Sequence, residues 1–332
     1  MQVKFVDFGA QYRAHKDEYD ENYSKLMSSG KLILQEEGEK FEENLANFLG
    51  MKYAVAVANG TDALEIALRI KKMQENRNVL RATDYTFKAT HEAIYHAGYI
   101  PERVDINSVT RMPDSNVDVP VHIEGMVHHS PTALIEDACQ AFGAKGVGYS
   151  GTACYSFYPA KIMGCQGDGG AIVTNDRDMY DLAKLYRHHY QTGVDEDYGF
   201  NSRLDNIKAG FLNIKLKYIG DAIIRREEIA KKYLMELDGY LGLPFDQEGR
   251  VWQDFVVTHP HAKEMVSFLR QNEIGILGDE MVPNFEAMNC TSELTNVKNL
   301  YETMFRLPCN ETLTDEQTDF VVSKVKEYVS TM

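Results

Sequence analysis

The sequence predicts an α/β protein: a mostly parallel central sheet flanked by helices, followed by a smaller α+β domain at the C-terminal end. Three observations carry this. Short apolar runs of strand length recur through the first two hundred residues, stretches with helical periodicity alternate with them, and from Asn206 the pattern becomes long, charged and helical. At 332 residues the chain has the length of roughly two domains. The boundary is placed in the long helical stretch, with 1–215 as the large domain and 216–332 as the small one.

The elements follow in order. Phe41, Leu45, Phe48 and Leu49 lie on one helical face, and Gly50 follows where a left-handed cap ends a helix. YAVAVA (53–58) is a short apolar strand, Asn59-Gly60-Thr61-Asp62 a tight turn, and Leu64, Ala67 and Leu68 the start of a further helix. VPVHI (119–123), ALIED (133–137), TACYSFY (152–158) and AIVTN (171–175) read as further strands. Across 206–240, Ile207, Phe211, Ile214, Leu216, Ile219 and Ile223 keep helical spacing. WQDFVVT (252–258) reads as a strand and 263–271 as a helix. In the last helix Thr314 and Gln317 form a capping box, and Val321, Val325, Tyr328 and Val329 supply the apolar face.

Charge and composition exclude several classes. Lys and Arg number 35 against 50 Asp and Glu, a net charge of −15, and no basic run exceeds the pairs Lys71-Lys72, Arg225-Arg226 and Lys231-Lys232. A nucleic-acid partner would require a basic face, so none is expected. No 18-residue apolar run occurs and MQVKFVDFGAQYR lacks a signal-peptide core, so the protein is expected in the cytoplasm, away from membranes. Cys139, Cys154, Cys165, Cys290 and Cys309 are widely spaced without a Cys-x-x-Cys pair, and read as reduced thiols. His122, His128, His129, His188 and His189 lack metal-site spacing and read as solvated or hydrogen-bonded residues, so no metal is expected.

Three segments carry candidate chemistry. The Asn59-Gly60-Thr61 turn opens a helix directly after a strand and offers free N–H groups to a phosphate. Taken alone, it reads more readily as a plain cap formed by Thr61 or Asp62. In ALIEDACQAFGA, Asp137 ends a strand with Gln140 one turn on; a carboxylate at the C-terminal sheet edge suits ligand binding, with a helix cap the equal alternative. In CYSFYPAKIMGCQGDGGAIVTND, Lys161 follows a strand bearing Ser156 and precedes Gly164, Gly167, Gly169 and Gly170, a backbone with room for a bulky ligand. An exposed surface lysine is the plain alternative, but a lysine in so apolar a segment suits Schiff-base chemistry. GVGYSG (146–151) matches a dinucleotide-binding pattern, but a strand follows where the pattern needs a helix.

Taken together, these segments resemble the DegT/DnrJ/EryC1/StrS family of sugar aminotransferases, which are pyridoxal-phosphate (PLP) enzymes of aspartate aminotransferase fold type I. The resemblance begins at FVDFGAQY and runs through GEKFEENLANFLGMKYAVAVANGTDALEIAL, DYTFKAT, IEDACQAFGA, SFYPAKIMGCQGDGGAIVTND and FNSRLDNIKAGFL to LP…LTDEQ, nearly the whole chain. Several motifs in one order are far more specific than any of them singly.

The resemblance implies a role for each matching residue. Lys161 matches the lysine that links covalently to the cofactor and then moves the proton between Cα and C4′. Asp137 matches the partner of the pyridinium nitrogen, and Gln140 a neighbour on the 3-hydroxyl side. Gly60, Thr61 and Ser156 match the phosphate cup, Phe87 the aromatic stacked on the ring, and Asn201 an asparagine reaching the phosphate from a partner subunit. The expected protein is therefore a homodimer with shared active sites, moving an amino group from an amino acid, L-glutamate foremost, to a keto group of a nucleotide-linked sugar. The ring works as an electron sink only while its nitrogen stays protonated. A carboxylate at about 4 Å contributes on the order of 4 kcal/mol toward that at an effective dielectric near 20.

The sequence also departs from the family pattern. The connection at 126–133 is too short for a crossover helix, 107–118 is short, and Tyr190 in RHHYQTG replaces a glycine. Two alternatives stay within the fold: a sugar dehydratase, in which histidine would replace Lys161, and a catalytically degenerate PLP-binding regulatory protein.

Overall fold

The computed structural model describes residues 1–190, 198–278 and 294–332. Three helices open the chain, α1 (Phe8–Ala14), α2 (Lys16–Ser29) and α3 (Glu36–Leu49). Strand β1 (Tyr53–Val57), α4 (Gly60–Gln74), β2 (Val79–Thr83), α5 (Ala89–His96) and β3 (Ile100–Val104) follow. Next come β4 (Glu136–Asp137), β5 (Thr152–Ser156), β6 (Gly170–Thr174), α6 (Arg177–Tyr186) and the long α7 (Asn206–Glu236). The C-terminal part holds β7 (Phe255–Thr258), α8 (Ala262–Gln271), α9 (Thr295–Thr303), β8 (Met304–Leu307) and α10 (Asp315–Ser330).

The central sheet runs β1-β6-β5-β4. The α/β class and the mostly parallel sheet are as expected, with strand β6 reversed so that the sheet is mixed. β4–β5 and β2–β3 are parallel, whereas β6 is antiparallel to both neighbours. The reason is local: β5 and β6 are joined by the glycine-rich lysine loop, which contains no helix, and a strand returning through such a loop lies antiparallel.

VPVHI forms no strand of its own. Val121 makes an isolated parallel bridge to Asp137, and the neighbouring backbone ties β4 to β2 through bonds from Asp137 N to Pro120 O and from Val119 N to Arg81 O. The segment then turns at Glu124 and Gly125, both in the left-handed region (φ 55° and 84°). The expected loss of a crossover helix is also seen: 126–135 contains no helix. Gln247 fills the gap, pairing through Oε1 and Nε2 with Val127 N (2.6 Å) and O (2.9 Å). β2 and β3 gave no clear sequence signal because Arg81, Glu102 and Arg103 interrupt their apolar residues.

Period-two alternation gives the sheet two buried faces. Ala54, Ala56, Ala153, Tyr155, Ala171 and Val173 pack with Phe41 and Leu45 of α3 and with Ala209 and Leu212 of α7. Val55, Val57, Cys154 and Ile172 face α4 and α6. The second half of α7 joins another core, where Ile229, Ala230 and Tyr233 pack with Phe255, Val257, Phe305, Leu307, α8 and α10. The helix ends follow their local signals: Gly50 caps α3 at φ 67°, and Thr314 with Gln317 forms the capping box of α10. Among the described residues no helix is long and apolar enough to cross a membrane.

Two glycines with positive φ separate backbone strain from steric blockage. At Gly125 a Cβ would fall 2.0 Å from Val251 O, whereas at Gly30 (φ 67°) nothing lies within 4 Å. Gly30→Ala is expected to cost about 1 kcal/mol of left-handed strain. Gly125→Ala adds a further ~1–3 kcal/mol of overpacking, measurable as a lower urea midpoint at unchanged slope.

Candidate active site

A cavity of about 770 Å³ opens where the N-terminus of α4, the C-terminal ends of β4 and β5, the lysine loop and the β7–β8 pair meet. The C-terminal sheet edge is where open α/β folds bind ligands. Gly60, Thr61, Phe87, Asp137, Gln140, Ser156 and Lys161 all line this one cavity.

The turn before α4 is capped by Asn59, not by Thr61 or Asp62: its side chain accepts from Asp62 N at 2.8 Å. The first-turn N–H groups of Gly60 and Thr61 are left without partners among the described residues. Close packing fixes the turn's position. A Cβ on Gly60 would fall 2.7 Å from Ser156 Cβ, and one on Gly170 would fall 2.4 Å from Asn59 O.

Asp137 is buried and caps no helix, since the chain continues through turns to β5. Its Oδ2 accepts from Thr90 Oγ1 at 2.6 Å and its Oδ1 from Cys139 N at 3.1 Å. Thr86 Oγ1 lies 2.7 Å from Thr90 Oγ1. Thr90 spends its only hydroxyl proton on the carboxylate, so Thr86 donates to Thr90 and the pair orients Asp137. Gln140 Oε1 accepts from Glu124 N at 2.9 Å. Phe87, 52% exposed, stands on the cavity wall just before α5. The neighbouring Cys139 thiol is pushed well above its usual range by burial and by Asp137, which leaves it inert as a nucleophile.

Lys161 sits in a loop held from several sides. Its own N–H donates to Tyr158 O, and its carbonyl accepts from Gly164 N, both at 2.8 Å. Gln253 accepts from Ile162 N at 2.9 Å and donates to Ala160 O at 3.1 Å, clamping the residues on either side of the lysine. Lys215 donates to Gly164 O at 2.9 Å. Lys161 Nζ has no hydrogen-bond or ion-pair partner among the described residues, so the amine is free while its backbone is fixed.

Asn201 lies outside this cavity, exposed and bridged to His188. Tyr190 takes φ 53°, a left-handed conformation that favours glycine, and its ring packs on Tyr186 at 4.9 Å between centroids. The 146–151 motif is not a phosphate loop: Gly148 N and Ser150 N both donate to Glu136 at 2.7 Å. Burial opposes ionisation of Glu136, yet these bonds and His122 at 3.0 Å hold its carboxyl below the usual range. His122 thus has a structural role.

Thr86, Thr90, Gln253 and Lys215 were not singled out from sequence. The i, i+4 threonines in DYTFKAT were the available signal for the first pair; Gln253 and Lys215 reach the loop only through tertiary packing. Burial pushes the Lys215 amine down to about 8 from an ordinary 10.5. The unfolded chain therefore holds this proton through a pH range in which the folded state has lost it, and stability should rise from about pH 8 toward 10.5. Lys215→Met is expected to flatten that rise in denaturation midpoints measured across this window.

Comparisons with known proteins place the chain in a family. A model of the DegT/DnrJ/EryC1/StrS aminotransferase family matches residues 13–133 and 116–326. A pleiotropic regulatory protein of Geobacillus stearothermophilus is 30% identical, with 99% of each chain covered. The UDP-2-acetamido-2-deoxy-3-oxo-D-glucuronate aminotransferase of Pseudomonas aeruginosa is 33% identical over 73% of this chain and 76% of its own. The crystal structure of S. venezuelae DesV, in complex with a ketimine intermediate, superposes with a TM-score of 0.89 at 28% identity, covering 99% of this chain and 98% of that one. With a family model spanning nearly the whole sequence, the chain belongs to the DegT/DnrJ/EryC1/StrS aminotransferase family.

Proposed function

We propose that the protein is a PLP-dependent aminotransferase that moves an amino group from an amino acid, L-glutamate foremost, to a keto group of a nucleotide-linked sugar. One observation carries the reading: an unpartnered Lys161 amine shares a cavity with a buried, oriented Asp137 and the free N-terminus of α4. Relatives named as transaminases of nucleotide-linked sugars support the substrate class.

The residues present fit the cofactor. The free N–H groups of Gly60 and Thr61, the Thr61 hydroxyl and Ser156 offer a phosphate dianion a helix N-terminus with hydroxyls. The Gly60 cradle, which a Cβ would fill, brings that turn against Ser156. Asp137, held by Thr90, would keep the cofactor's ring nitrogen protonated, and Phe87 and Gln140, on the same cavity wall, would help hold the ring. Bound PLP supplies an electron sink for the negative charge that develops at the amino acid's Cα. Lys161 Nζ, free of partners among the described residues, would hold the cofactor covalently and, once released, would serve as the base that takes the proton from the amino acid's Cα. With a keto sugar bound, the same amine would return a proton to the sugar carbon that gains the nitrogen. The Gln253 and Lys215 clamps keep the lysine backbone still while Nζ travels.

Asn201, away from its own chain's cavity, is assigned to the active site of a second subunit in a homodimer. The enzyme is assigned to the cytoplasm. Its domains are taken as 1–215 and 216–332, with α7 running through both.

The whole-length likeness to a pleiotropic regulatory protein favours a second reading, a PLP-binding protein with a regulatory task. Lys161 itself argues against a dehydratase. The visible absorbance spectrum separates the readings: a yellow band that bleaches with L-glutamate supports transamination, and a band indifferent to every amino donor supports the regulatory task. Lys161→Ala should lower turnover at least about a thousandfold, because covalent and proton-transfer roles are lost together. Asp137→Asn should leave a coloured protein slower by on the order of a hundredfold or more. An active Lys161→Ala enzyme would overturn the mechanism.

A further inference from the structure

Behind Gln140 lies a buried cluster of charged and polar side chains for which the reaction has no direct use. Glu124 is 1% exposed; its Oε1 accepts from Tyr85 Oη at 2.6 Å and from Arg111 Nη1 at 3.1 Å, and Arg250 Nη2 stands 3.7 Å from its Oε2. Arg250 also donates to the Glu124 carbonyl at 2.8 Å, and Arg111 to Val256 O at 3.0 Å. Glu124 and Arg111 both take left-handed backbones, at φ 55° and 59°. A non-glycine residue keeps such a conformation only where its surroundings enforce it. Here the enforcement comes from both sides of Glu124, at its carboxylate and at its carbonyl.

The group of Glu124 that faces the cofactor site is its N–H, which donates to Gln140 Oε1 at 2.9 Å. A backbone N–H can only donate, so the amide oxygen of Gln140 must face it, and the NH2 is left for the cavity that Gln140 lines. Gln140 Nε2 has no hydrogen-bond partner among the described residues. Among the polar groups of PLP, the phosphate has the α4 turn, the protonated ring nitrogen needs the acceptor Asp137, and the aldehyde carbon bonds Lys161. The 3-oxygen of the ring is the group left to take a donor.

We propose that Tyr85, Glu124, Arg111 and Arg250 form a positioning cluster: by holding the Glu124 N–H against Gln140, they fix its amide so that the NH2 donates to the 3-oxygen of the cofactor ring. This rests on the cofactor part of the reading above, and it applies to a transaminase and to a regulatory PLP protein alike. A donor at that oxygen favours its ionised form, and so lowers the pH at which the Lys161-linked cofactor gives up its proton.

The test follows the visible band of the PLP-loaded protein across pH in wild type, Tyr85→Phe, Glu124→Gln, Gln140→Leu and the two double variants that add Gln140→Leu to each of the others. Melting temperatures are measured alongside. Gln140→Leu is expected to raise the midpoint of the band's titration by about one pH unit, the scale of one hydrogen bond to a charged oxygen. Tyr85→Phe and Glu124→Gln should each raise it by part of that, and neither should add anything once Gln140 is leucine. If Glu124→Gln does not fold, Tyr85→Phe decides alone. Melting temperatures that fall while the midpoint stays put would reduce the cluster to a brace and overturn the proposal. A shift that persists in the Gln140→Leu background, or an unmoved midpoint in Gln140→Leu itself, would overturn it too. A wild-type band that titrates and shifts as expected but ignores every amino donor sinks transamination and supports the cluster's role. No band in wild type supplied with PLP overturns the cofactor reading and the cluster's role together.

Discussion

The contact on which the site depends is the one between the Asn59–Gly60 turn and the strands β5 and β6. Gly60 and Gly170 bring backbone against backbone so closely that a Cβ at either would collide with its neighbour. That contact points the N-terminus of α4 into the cavity beside Ser156. It also requires β6 to lie between β1 and β5, the arrangement that the helix-free lysine loop permits. The mixed sheet and the placement of the lysine are thus two outcomes of one packing constraint.

Around that contact, the charges are arranged by cost. Asp137 is buried, yet it accepts two hydrogen bonds and is oriented by a threonine relay. Glu136, adjacent in sequence but on the other side of the strand, is consumed by His122, Gly148 and Ser150. Period-two alternation separates a carboxylate facing the cavity from one that braces the scaffold. Lys161 and Lys215 divide in the same way, one amine free in the cavity and the other tied to the loop's carbonyl.

Much of this was legible in the residues. The helix with its Gly50 stop, the apolar strands, the capping box at Thr314 and the motifs holding Lys161, Asp137 and Gly60 all have local causes, so a linear reading reaches them. The identity of the turn's cap did not follow, because Asn59, Thr61 and Asp62 are all competent caps and the choice depends on which side chain the packed turn directs inward. The strand at 119–123 was likewise overcalled. Its apolar run is real, but its backbone is diverted by left-handed Glu124 and Gly125, and it is covered by Gln247 from far along the chain.

The sequence by itself determined the α/β class, the elements with strong local periodicity and the motifs whose residues line the cavity, because periodicity and motif spacing are properties of neighbouring residues. Only the tertiary structure decided that Asn201 stands outside its own chain's cavity and that Gln253 and Lys215 hold the lysine loop. Those are facts about residues brought together by folding from distant positions, and burial and hydrogen-bond satisfaction have no counterpart in linear order.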